Sequence, residues 1–66
     1  MSIVKVIEVI AESDKSWDDA ARNAVKDAAK SVRGIRHLYV EGMQATVENN
    51  KITKFRLNGK LSFILD

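Results

Sequence analysis

The chain has 66 residues, with 11 basic and 9 acidic side chains for a formal net charge of +2, no cysteine, no proline and a single histidine. Disulfides, thiolate metal sites and histidine-cluster zinc sites within one chain are therefore excluded. The apolar runs fall far short of the roughly 20 residues that a membrane-spanning helix needs, so no membrane partner is expected. A chain this short buries only about 60% of the surface that its unfolded form exposes. A single domain over 1–66, supported by self-association, is the expectation. Lys5 and Glu8 interrupt the apolar N-terminal stretch, unlike a signal peptide, and a cytoplasmic location is expected.

Ile3 to Glu12 reads as a strand rich in Val and Ile. Its apolar residues occupy both alternation sets, with Ile3, Ile7 and Val9 on one face and Val4, Val6 and Ile10 on the other. Such a strand needs cover on both sides, and the chain has one helix to offer. Ser16 is a good N-cap, with Asp19 three residues later as a shortened capping box. The spacing predicts a helix from Trp17 to Arg33, with Gly34 as its C′ residue. Its apolar stripe is mostly alanine, which predicts a close approach to the sheet. Two further strands follow, Ile35 to Glu48 and Lys51 to Leu65, joined by a turn at Asn49-Asn50. Asn58-Gly59 is commonly a hairpin signal, yet the period-2 pattern runs through it. One long strand bent at Gly59 is therefore expected, with a matching bulge near Gly42. The fold class is α+β, in the order β-α-β-β: a three-stranded antiparallel sheet with one helix on one face.

Enzyme chemistry is poorly supplied. His37 is the single histidine, and its place in a strand pattern suits a structural or interface role better than a catalytic base. Gly34, Gly42 and Gly59 stand apart, so no phosphate-cradling loop exists. The basic bias of the last quarter, Lys51, Lys54, Arg56 and Lys60, reads as a solvated strand face. Phe55 and Phe63 fall on the opposite face, so the interleaving of aromatic and basic groups that stacks nucleic-acid bases is missing. No nucleic-acid partner is expected.

Lys5-Val6-Ile7-Glu8-Val9-Ile10, Ser16-Trp17-Asp18-Asp19-Ala20, Ala24 and the strand Leu61-Ser62-Phe63-Ile64-Leu65 resemble the dodecins. The resemblance covers essentially the whole chain. It implies a hollow homododecamer of small flavin-binding subunits that store or scavenge flavin rather than turn over a substrate. The flavins would sit as stacked pairs at subunit interfaces, sandwiched between tryptophans. Flavin-holding members place that tryptophan early in the second strand, where His37 stands here. They place a glutamine in the third strand, where Arg56 stands here. Trp17 matches the helix-start tryptophan instead.

The resemblance thus implies a non-enzymatic binding or storage shell for flavin (riboflavin, FMN or FAD) with weakened or lost affinity. His37 would stack on the ligand and Arg56, close by, would bond its polar edge, while Tyr39 and Glu41 line the same interface. The alternative is a structural or cation-binding oligomer of calcium type. No acidic cluster of EF-hand spacing is present, so a metal ion would rest on carboxylates that symmetry brings together.

Overall fold

The computed structural model describes residues 3–65. The order is β1 (Ile3–Ser13), α1 (Trp17–Ala28), β2 (Ile35–Glu48) and β3 (Lys51–Leu65). β3 is the central strand of an antiparallel sheet ordered β1-β3-β2. It runs unbroken through Asn58-Gly59, as the alternation predicts.

Burial follows the alternation of β3. Leu57, Gly59, Leu61 and Phe63 are buried, while Lys54, Arg56 and Lys60 are exposed. Leu57 and Leu61 are almost wholly enclosed, and α1 closes over Leu57 through Ala20, with Trp17, Ala21 and Ala24 packed around them. The alanine stripe lets helix and sheet approach closely, as expected. The same face of β1 adds Ala11 to this core, and the other face is left uncovered. Val4, Val6 and Ile10 are 61%, 52% and 70% exposed.

Ser16 caps α1 from an extended conformation, and its Oγ accepts the Asp19 N–H at 2.9 Å. The Asp19 carboxylate does not return to the cap. It accepts from Ser13 Oγ at 2.6 Å and from Asn23 Nδ2 at 3.1 Å, tying the end of β1 to the helix.

The helix is shorter than the spacing predicts. It ends at Ala28, and Ala29–Ser31 tighten into turns in which Lys30 N–H donates to Asp27 and Ser31 N–H to Ala28. Such i→i+3 bonds are a common way to satisfy the last carbonyls of a helix. They keep a near-helical path, which is why the 3–4 spacing continues to Val32. Gly34 is consequently not the C′ residue. Its φ of 73° starts β2, and its carbonyl accepts from Ile64 N–H at 3.0 Å.

The β2–β3 turn uses Asn49 and Asn50, both at positive φ (52° and 63°), the pattern of a two-residue type I′ hairpin. The register shifts between Val40 and Gly42, so the bulge expected near Gly42 is present. Gly59 has no room for a side chain: a Cβ there would collide with the Tyr39 carbonyl oxygen.

Two substitutions test this account. Ser16→Ala removes the cap and is expected to lower stability by about 0.5–2 kcal/mol in chemical denaturation. Ala24→Leu is expected to cost about 1–3 kcal/mol through overpacking; an unchanged melting temperature would contradict the close helix–sheet approach.

Candidate functional site

The uncovered face of the sheet is built from cross-strand rows fixed by register. Val6, Ser62 and His37 form one row; Glu8, Lys60 and Tyr39 the next. Ile10, Asn58 and Gly42 come third, and Glu12, Arg56 and Gln44 fourth. The third row is low because Gly42 carries no side chain. A trough of about 540 Å³ lies over it, lined by Glu8, Ile10, Glu41, Gln44, Arg56 and Asn58.

The bulge shapes this wall. Val40 pairs with Gly59 and Gly42 with Asn58, so Glu41 is the extra residue on β2. Its carboxylate reaches toward Lys60 Nζ at 4.0 Å, on the open face. Beyond the bulge the parity of β2 reverses, and Gln44 joins Arg56 on that face. Simple alternation from His37 and Tyr39 would have put Gln44 on the helix side, so the sequence reading missed it. Asn58, Glu8 and Glu12 were missed as site residues because only register places them there.

Arg56 is already engaged. Its Nη2 donates to Glu12 Oε2 at 3.2 Å, with both side chains partly exposed. Such a pair is weak in itself, but it holds the guanidinium at one end of the trough. The carboxamides of Gln44 and Asn58 line the same trough and add donors and acceptors. No three His, Asp or Glu side chains converge as a metal site among the described residues.

The predicted site residues share a face, but they do not form one cluster. His37 stands opposite Ser62, and Arg56 lies six residues earlier on β3, opposite Gln44. At about 3.3 Å per residue that is roughly 20 Å. Within one chain Arg56 therefore does not lie close to His37, contrary to the expectation above. Tyr39 and Glu41 occupy the stretch between them, around Lys60.

Trp17 supports the site from behind. On the helix side its ring packs edge-on against Phe55, with centroids 4.9 Å apart. Its Nε1–H donates to the carbonyls of Gln44 (3.0 Å) and Arg56 (3.2 Å), the paired residues that wall the trough. The indole is thus occupied in holding β2 and β3 and is not a stacking surface on the open face.

The Dodecin family model matches residues 3–66. The chain belongs to the dodecin family. Calcium dodecin of Mycobacterium tuberculosis (strain ATCC 25618 / H37Rv) is 36% identical over 63 residues, covering 96% of this chain and 89% of that protein. A crystal structure of calcium dodecin from that organism, described as having a novel calcium-binding site, superposes with a TM-score of 0.83 at 35% identity. It covers 97% of this chain and 91% of that one. Dodecin from Streptomyces coelicolor superposes with a TM-score of 0.93 at 28% identity, covering 98% and 93% of the two chains. The β-α-β-β fold read from the sequence is thus the dodecin fold.

Trp17→Phe tests the clamp. It keeps an aromatic ring against Phe55 but removes the N–H, and should cost about 0.5–1.5 kcal/mol in urea denaturation. No change would show that the two carbonyls do not depend on the indole.

Proposed function

We propose that this chain is the subunit of a non-enzymatic homododecameric shell that binds and holds a small planar ligand of flavin type at its subunit interfaces. The observation that carries the reading is the open sheet face, where exposed Val4, Val6 and Ile10 adjoin a polar trough. One face of an apolar sheet left in water is unfavourable at about 25 cal/mol per Å², and further copies of the chain are the cover at hand. On this reading residues 1–66 hold one assembling domain, working in the cytoplasm on a small molecule rather than on nucleic acid or membrane.

The residues fit a flavin in part. Gln44, Asn58 and Arg56 offer the mixed donors and acceptors that a heterocycle edge requires. The stacking surface is smaller. Tyr39 and His37 are the rings on this face, and an imidazole offers less area than an indole. Because His37 and Arg56 lie far apart in one chain, they would meet a single ligand from different copies, with Tyr39 and Glu41 lining the interface. Flavin when bound would supply a redox-active ring; the chain's own residues would shield it and hold its edges.

A second reading, a calcium-holding shell, is favoured by the likeness to a protein named calcium dodecin. Within one chain Glu12 is answered by Arg56 and Glu41 is near Lys60. A cation would therefore rest on carboxylates from several copies, with Glu8 as the available contributor on the open face.

Two measurements test these proposals. Light scattering should give a particle many times 7.4 kDa, and Val6→Asp should abolish it, because a charge would be buried without a partner. A stable folded monomer would overturn the shell. Riboflavin fluorescence quenching should show weak binding that strengthens at least about tenfold, worth about 1.4 kcal/mol, in the double variant His37→Trp with Arg56→Gln. Absence of flavin binding in both proteins, together with saturable calcium binding by calorimetry that Glu8→Gln weakens, would favour the second reading.

A further inference from the structure

Asn58-Gly59 looks like a turn in the sequence, but it lies in the middle of the central strand. Asn58 pairs with Ile10 on one side and Gly42 on the other; Gly59 pairs with Val9 and Val40. Gly59 is buried, and the Tyr39 carbonyl closes over its α-carbon. The Asn58 carboxamide reaches across to Gly42: a Cβ built there would lie 2.7 Å from Asn58 Oδ1.

An asparagine followed by glycine is chemically labile. Glycine has no Cβ to hinder its backbone nitrogen, which can attack the neighbouring carboxamide carbon. We propose that Asn58-Gly59 is a latent deamidation site, held shut by the pairing of β3 on both sides and released when that strand opens.

The chemistry needs only water. The Gly59 nitrogen loses its proton and bonds to Asn58 Cγ. The side-chain nitrogen takes up the proton balance and leaves as ammonia, giving a cyclic succinimide. Water then opens either ring carbonyl, leaving an aspartate or an isoaspartate at position 58. Ring closure requires the Asn58 backbone to rotate out of its extended conformation. In β3 that rotation breaks ladders to two strands at once, so the reaction is confined to chains in which the strand has opened.

The two products differ in how they fit. An aspartate at position 58 would share the trough with Glu8 and Glu41 but also with Arg56, so its charge meets both signs. An isoaspartate adds a methylene to the main chain and displaces the register of the residues that follow. Strand opening would thus be recorded as a covalent mark that hinders re-closure. This inference does not depend on which ligand the trough holds.

The test is to incubate the intact protein in mildly alkaline buffer, native and unfolded in urea. Peptide mass spectrometry and isoaspartate-specific methylation then follow position 58. Deamidation in urea is expected to be faster by on the order of a hundredfold or more, since exchange-like reactions of a core strand track its rare openings. Gly59→Ala should suppress it in urea, a control that needs no folding. Equal rates in native and unfolded protein would overturn the protection. No product in urea, or no effect of Gly59→Ala there, would overturn the site. On return from urea to native buffer, chains carrying isoaspartate at position 58 are expected to regain less native circular dichroism than unmodified chains; equal recovery would overturn the hindered re-closure.

Discussion

A helix of 12 residues covers a sheet whose central strand has 15. The first is about 18 Å long and the second about 50 Å. No arrangement of one against the other can bury the sheet. The molecule is accordingly elongated, 52 × 20 × 14 Å, with one face of its sheet in water. Both the stability problem and the candidate site descend from this shortfall. The covered face of the sheet supplies Leu57 and Ala11 to a small core that Ala20 of α1 closes, and the bare face holds the apolar residues that call for another surface.

The two faces are not independent. Trp17 belongs to the core by its ring and to the site by its N–H, which bonds the backbone of Gln44 and Arg56. Charges on the bare face are arranged as complementary neighbours, Glu12 with Arg56 and Glu41 near Lys60. A surface so balanced does not attract ions of one sign over distance. Contacts on it are decided by shape and by hydrogen bonds at close range.

The sequence made the strands legible to within a residue because each is long and strongly patterned. Ser16, Asn49-Asn50 and the bulge near Gly42 were legible for a second reason: each is a residue type that its backbone geometry favours. The helix end was not, because the turns after Ala28 preserve the helical spacing of Val32 without the helix itself. The site was legible only as a face. His37, Tyr39 and Arg56 could be assigned to it by counting, but their separation could not. Pairing distances depend on the β2–β3 register, and the register depends on where the bulge falls. Gln44 shows the consequence most directly, since one extra residue moved it from the core side to the open side.

β3 writes two messages in alternate letters. Leu57, Gly59 and Leu61 maintain the fold, and Arg56, Asn58 and Lys60, alternating with them, lie on the open face. Replacing a side chain in the second message leaves the leucines of the first in place, so the chemistry of the open face can change without exchanging core and surface. Inserting or deleting a single residue is different. It would exchange the two messages, sending lysine and arginine toward α1 and leucine into the trough. The length of this strand is therefore constrained by both faces at once, whereas each outward-facing side chain is constrained by one.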